Sequence, residues 1–443
     1  MNFAPRVGFA YAVTPKTVLR GAFGIFYSQI FSNLGGIVLY PGFTVNQNFP
    51  DRGAGVAQEF TLSQGMPLLA RQNLNDPFFV EREASVTATL GGGAQYGEIS
   101  PLPSSLQWNF GIQRELPFRI FLDTSYVSTR GLHLPLSLPF NDVPFDRVEE
   151  LQRIGSGVNT QQARPFPTVA RFNSFVHAGT STYHSLQVKA QRQVKDFAFR
   201  SVYTWSKSLD DGSGLFPFSQ PNGVDPGQYL QLFRYLDRAP STFDRRHTYS
   251  ASLQYTTKGA WWRRDFLLSG IFTARTGIPD TINQNNLNPV ASQQRPHAIA
   301  PFDEIYAGGR VSEGIGIRYL KAPNTPGFPL APSGPLYVGS GATRRQVLPV
   351  SIGTLPRNSV RLPGEWNADF SFARQFRLRE SLKFQLRGEF FNVFNHTQFN
   401  GPNTSLTVTA DASGNPFFNS PSFGLITAAR SARFVQIVAR VEF

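Results

Sequence analysis

The sequence predicts an all-β fold. It reads as an antiparallel transmembrane β-barrel portion of about eleven long strands, with short periplasmic turns on one side and long extracellular loops on the other. Three observations predict this. Apolar and polar residues alternate with a period of two through segment after segment, the pattern of strands that separate two environments. These segments are joined alternately by turns of a few residues and by long stretches rich in Gly, Pro and Asn. The composition combines abundant aromatics (14%, including 41 Phe) with few charges (16%) at a mean hydropathy of -0.22, as expected for strands with one apolar and one polar face.

The elements follow in pairs. PRVGFAYAVT places Val7, Phe9, Tyr11 and Val13 on one face; a turn at Pro15 leads into TVLRGAFGIFY, with Leu19, Phe23, Ile25 and Tyr27 together. SLQWNFGIQ groups Leu106, Trp108, Phe110 and Ile112, and turns at Leu116-Pro117 into FRIFLDTSYVSTRG. YHSLQVKAQRQ turns near Lys195-Asp196 into FAFRSVYTWSKSLDD, and HTYSASLQYTT turns around Gly259 into FLLSGIFTARTG. EWNADFSFARQF turns near Arg379-Glu380 into SLKFQLRGEFFNVF, and RFVQIVARVEF closes the chain. Each strand is about 10 residues, enough to cross a bilayer at a tilt. Long loops are expected over 28–103, 131–180, 210–244, 277–364 and 395–432. Lengths of this kind are uncommon inside compact domains and usual on one side of an outer-membrane barrel.

The two faces of the last strands carry the candidate functional residues. Lys383, Gln385, Arg387 and Glu389 alternate with the apolar Leu382, Phe384, Leu386 and Phe390. In the final strand Gln436, Arg440 and Glu442 alternate with Val435, Ile437, Ala439, Val441 and Phe443. The seven polar residues are lumen-facing candidates. They form either a substrate path or a ladder of cross-strand salt bridges that fixes register. Tyr203, Trp205, Tyr249, Tyr255, Trp261 and Trp262 fall near strand ends, where an interfacial girdle places Trp and Tyr.

Other functions find little support. No run of about 18 apolar residues offers a membrane-spanning helix. The net charge of +13 comes from scattered Arg without a basic run or an RNA-binding motif, so no nucleic-acid partner is expected. Cysteine is absent, and no signal peptide is visible at MNFAPRVGFAYAV. No nucleophile elbow, metalloprotease helix, phosphate loop or zinc spacing occurs, so neither an enzyme nor a cofactor is expected. The six histidines form no close pair, and His396 reads as a structural loop residue. Asp210-Asp211, followed by Gly212, reads as a turn leaving the membrane, with a cation at a loop tip as the sharper alternative.

Four stretches carry a family resemblance. YTWSKSLDD (203–211), FDRRH (243–247), GEFFNVFNHTQF (388–399) and the terminal ARVEF resemble TonB-dependent outer-membrane receptors, most closely their Oar-like group. The resemblance implies a bacterial cell outer membrane location, with outer-membrane lipid and lipopolysaccharide around the wall. It implies a barrel of roughly 22 strands, of which 1–443 would be the C-terminal portion. Signal peptide, N-terminal regulatory-type domain and plug would lie outside it, leaving this chain alone as a curved, incomplete sheet. It also implies that Phe443, with Val441, Ala439 and Ile437, is the signal read by the barrel-assembly machinery. Coupling to the TonB complex would run only through the missing plug, and the extracellular ligand is unknown. The implied function is transport or reception, this chain supplying barrel wall, lumen surface and ligand-capturing loops. A non-transporting surface or adhesion protein that binds a partner or polysaccharide is the alternative, and a soluble all-β enzyme or lectin is a third.

Overall fold

The computed structural model describes residues 2–28, 101–140, 172–213, 237–258, 265–285, 294–314, 316–339, 343–349, 351–377 and 382–442, with a few isolated positions besides. Eleven long strands dominate: β1 (Arg6–Thr14), β2 (Thr17–Tyr27), β3 (Ser104–Leu116), β4 (Ile120–Phe140), β5 (Phe172–Val194), β6 (Phe197–Asp210), β7 (His247–Thr256), β8 (Phe266–Arg275), β9 (Glu365–Arg377), β10 (Lys383–Phe391) and β11 (Phe434–Glu442). They pair in chain order as one antiparallel meander from β1 to β11. Among the described pairings β1 meets only β2 and β11 meets only β10, so both ends of the sheet present an open edge.

The register shows why the alternation matters. One continuous row runs Phe9, Gly21, Phe110, Tyr126, Leu186, Trp205 across six strands. A second runs Phe199, Leu253, Gly270, Phe370, Phe390, Val435 across the other half. A register slip of one residue would turn each apolar set to the opposite face. Most of these side chains face outward, uncovered among the described residues: Phe9 is 55% exposed, Trp205 51% and Val435 48%. Two glycines are required by close approach. The Phe9 ring lies against Gly21 and the Phe372 ring against Gly388, where a Cβ would come within 2.4 Å and 2.9 Å of the rings. In both cases the aromatic covers a gap that the glycine would otherwise leave in the strand.

Two strands are longer than the sequence predicts. β4 spans 21 residues and β5 spans 23, and they stay paired to Phe140↔Phe172, well past the stretch that crosses a membrane. The two ends of the predicted 131–180 loop, 131–140 and 172–180, are therefore a hairpin stem that continues the wall.

The hydrophobic core lies elsewhere. Ile282, Ile305, Leu320, Phe328, Leu330, Leu355 and Val360 pack with Leu406, Val408, Phe418 and Phe423, and none of these is on a long strand. The first group belongs to the β8–β9 connection and the second to the β10–β11 connection. Short ladders join the two: Asn283–Gln284 runs parallel to Ser405–Leu406, and Gly316–Leu320 pairs antiparallel with Leu425–Ile426. Phe328 meets Phe418 and Phe423 edge-on at centroid distances of 6.0 and 5.9 Å. The two longest described connections thus form one folded cap.

Candidate functional site

The polar face of the last strands is assembled as the alternation requires. Lys383 pairs with Glu442, Gln385 with Arg440, Arg387 with Val438 and Glu389 with Gln436, so all seven polar candidates share one face. The ion pairs differ from the cross-strand ladder the sequence suggests. Arg387 binds Glu389 at 3.3 Å and Arg440 binds Glu442 at 3.3 Å, each within its own strand. At this spacing two side chains on one face are neighbours along the strand, and the pairs hold each other rather than the register. Ile437, Ala439 and Val441 face the opposite way, against Gly388, Leu386 and Phe384. Phe443 lies outside the described residues.

At the other end of the sheet the same face holds an open cradle of about 350 Å³, lined by Arg6, Phe26, Gln107 and Asn109 over Gly8 and Gly24. The Arg6 guanidinium sits 4.7 Å from the centre of the Phe26 ring. A cation, an aromatic ring and two amides suit a polar ligand.

Above the strands, buried carboxylates fasten the cap to the wall. Asp210 and Asp211 stand where the chain leaves β6, and their buried carboxylates are engaged by protein donors instead of lying open at a loop tip. Ser213 donates to both oxygens of Asp210 at 2.8 and 2.7 Å, and Arg357 donates to its Oδ1 at 2.5 Å and to its carbonyl at 2.9 Å. Asp211 accepts from the Thr180 amide and hydroxyl, both at 2.7 Å, and from Arg238 at 3.2 Å. Asp244, from FDRRH, accepts from the Ser208 amide at 2.6 Å and pairs with Arg361. Arg295 and Asp237 form a fully buried pair at 2.9 Å. Glu365, at the start of β9, gathers Arg245 at 3.2 Å, Arg275 at 3.9 Å and Arg430 at 2.7 Å.

The energetics of these pairs are those of a clamp. A buried pair gains little over an apolar substitute, yet loss of one partner strands a charge and is costly. Burial pushes the Asp237 carboxyl up to about 7, against the pull of Arg295 and Arg357 and with Asp211 adding to the rise. Its Oδ2 has no hydrogen-bond partner among the described residues. Burial also lowers Arg245 and raises Asp280.

An aromatic belt marks the rim. Tyr203 bonds His247 at 2.8 Å and stacks on it; Tyr126 does the same with His184 at 2.6 Å. Trp366 stacks on His396 at 4.1 Å, and the Asn392 side chain holds His396 by two backbone hydrogen bonds. Tyr249 joins this belt through Phe272 at 6.0 Å, and Tyr255 marks the lower end of β7. Trp261 and Trp262 lie outside the described residues. Among the described residues, no group of three or more His, Asp or Glu side chains could hold a metal ion.

A family model described as an outer membrane beta barrel domain matches residues 1–436. The chain belongs to this family. A chain of the outer membrane β-barrel family carries its apolar face toward lipid and resides in the bacterial outer membrane, which accounts for the uncovered aromatics of the wall. A search of curated proteins finds no match. Solved structures similar to the chain include the outer membrane transporter YddB from Escherichia coli (9% identity, TM-score 0.42, covering 96% of this chain and 39% of that one). The ferric enterobactin receptor PfeA of Pseudomonas aeruginosa gives 10% identity and TM-score 0.42, over 100% and 40%. The siderophore receptor PiuA from Acinetobacter baumannii gives 8%, 0.41, 99% and 36%. The chain thus spans about two fifths of the length of these barrels or less.

YTWSKSLDD and FDRRH hold Asp210, Asp211 and Asp244, whose place in a clamp no motif suggests, and Asp237 and the arginines that meet these carboxylates stand in no motif at all. Arg357 stands 147 residues from Asp210, in a loop with no periodic signal. The surplus of scattered Arg is the trace it leaves in the composition.

Proposed function

We propose that this protein is an outer-membrane receptor that captures a ligand on its extracellular cap and, as a TonB-dependent transporter, passes it along the polar face. The carrying observation is the cap. Two connections separated in sequence by β9 and β10 share one hydrophobic core and are clamped to the wall by Arg–Asp pairs. A recognition surface held this firmly loses little conformational entropy when it binds. The similar solved proteins include an outer membrane transporter, a siderophore receptor and a ferric enterobactin receptor, in line with uptake of an extracellular ligand. In this reading the chain carries no catalytic step: the cap binds, and Lys383, Gln385, Arg387, Glu389, Gln436, Arg440 and Glu442 line the way in.

Uptake of candidate ligands by cells carrying the full-length receptor, with and without the energy-coupling complex, tests the proposal. Uptake that collapses without the complex supports it. Binding that persists with no uptake in either case leaves a surface-anchored binding protein and refutes transport.

A further inference from the structure

Glu365 is answered three times over. Arg245, Arg275 and Arg430 all meet its carboxylate, at 3.2, 3.9 and 2.7 Å. In the clamp each carboxylate has its own arginine: Asp210 has Arg357, Asp211 has Arg238, Asp237 has Arg295 and Asp244 has Arg361. Among the described residues Glu365 is the one carboxylate paired with any of its three arginines. Three guanidinium groups against one carboxylate leave two positive charges that nothing in the cluster cancels.

The arginines reach Glu365 from three segments. Arg275 ends β8 and faces Glu365, which opens β9, across the ladder. Arg245 comes from the connection into β7 and Arg430 from the connection into β11. Gly270, Phe272 and Ala274 lie on the outward face, so Thr273 and Arg275 lie on the polar one, with Glu365 and Asn367 opposite them. That face continues down β9 to Ser371, which pairs with Glu389 of β10. The row next to the cluster is Ser250, Thr273 and Asn367, hydroxyls and an amide without charge. The cluster therefore stands where the polar face meets the long connections. Its side chains are open to a ligand: Arg275 is 46% exposed and Arg430 58%. A tie that only held the rim together would gain nothing from a second and third cation, since like charges repel. Burial, with Arg275 and Arg430 adding to it, lowers Arg245 from its ordinary value.

We infer that Arg245, Arg275 and Arg430 form a binding site for a ligand carrying at least two oxyanion groups, carboxylate or phosphate, at the entrance to the polar face. Guanidinium groups donate paired, charge-assisted hydrogen bonds to such oxygens, and a patch of one sign concentrates ligands of the other. Ser250, Thr273 and Asn367 receive the neutral part of the ligand. Glu365 is a positioning residue: it gathers the three guanidinium groups and competes with the ligand for them. The inference rests on the proposed function for the side from which the ligand arrives, and adds the charge of what is captured.

The test is isothermal titration calorimetry on the full-length protein in a neutral detergent. It needs no uptake, so it succeeds or fails independently of transport. The probes are tricarballylate, inorganic pyrophosphate, acetate and the neutral triamide of tricarballylate. Wild type should bind tricarballylate or pyrophosphate about tenfold more tightly than acetate, and the tighter of the two names the oxyanion. Added sodium chloride should weaken that binding. The R275Q/R430Q variant should bind about tenfold more weakly, from two half-exposed ion pairs of modest worth each. The E365Q variant should bind about fivefold more tightly, because the competing carboxylate is gone. No preference over acetate or over the triamide overturns the proposal. An E365Q variant that weakens binding as R275Q/R430Q does also overturns it, since the cluster is then a structural tie and nothing more. Should a variant fail to fold, the wild-type ranking of the probes still decides.

Discussion

The wall and the cap are built from the same residue types and obey opposite rules. In the wall, Phe9, Phe370 and Ile437 point away from the protein and stay uncovered. In the cap, Ile282, Ile305, Leu355 and Phe423 are fully buried. The wall's apolar face is matched to lipid, so its stability comes from transfer into the bilayer and from backbone pairing that lipid cannot supply. The cap faces water, so it must bury its apolar groups in itself and satisfy the charges it encloses. The difference teaches that a long barrel connection can be a folded unit in its own right.

One substitution made in both regions tests that contrast. Phe423→Ala removes a buried ring that meets Phe328 edge-on, and leaves a cavity in a packed core. We expect a loss of about 3–5 kcal/mol of cap stability, read as faster hydrogen exchange over 316–330 and 403–426. Phe372→Ala in the wall opens no such cavity, since lipid fills the gap, and should cost clearly less in refolding into lipid vesicles. Equal costs would break the distinction. Arg357→Ala should approach the Phe423 effect, about 3–5 kcal/mol, because it leaves Asp210 buried without its cation. The measurement is again exchange in the cap, and the wall should be unaffected.

The reverse test puts charge on the wall. Ile437→Arg places a guanidinium on the lipid face of β11, and we expect about 2–4 kcal/mol of lost stability in vesicle refolding. The neighbouring Gln436→Arg, on the polar face beside Glu389, should be nearly neutral. If both cost the same, the assignment of faces is wrong.

Much of the wall was legible in the sequence. All eleven strands cover the stretches the period-two pattern marks, β4 and β5 running on beyond them, and the pairing of β10 and β11 keeps the polar residues on one face. Alternation is local, so each strand announces itself. The cap was not legible. Its strands are two to eight residues long, its core residues are spaced without period, and its halves lie on either side of β9 and β10. The clamp was not legible as a clamp. Asp210, Asp211 and Asp244 sit in recognisable motifs, while Arg295, Arg357 and Arg361 look like any other loop arginine until the fold brings them in. Long-range ionic pairs leave no spacing in the chain.

The clamp also predicts a pH response confined to the cap. The Asp237 carboxyl sits near 7 in the folded state against 3.8 when exposed. The latched state therefore binds the extra proton between those values, and latch stability falls as pH rises through that window, by up to about 1.4 kcal/mol per pH unit. Protection of the amides at 294–298, corrected for intrinsic exchange, should rise as the pH is lowered from 8 to 6. Asp237→Asn should flatten that slope. A slope that survives the substitution would place the titrating group elsewhere.

The smallest effect is expected where the two regions meet. His396 stacks on Trp366 at 4.1 Å, and Trp366 opens β9 while His396 follows β10 on the way into the cap. The ring pair therefore couples wall to cap without belonging to either core. His396→Ala should cost about 0.5–1.5 kcal/mol, and His396→Phe should restore most of it, because the stack needs a flat ring and the Asn392 bonds go to the His396 backbone. The expected signature is faster exchange over 392–396 with no change in 403–426. Loosening of the whole cap would instead make this stack part of the clamp, and the boundary between the two regions would have to be drawn below it.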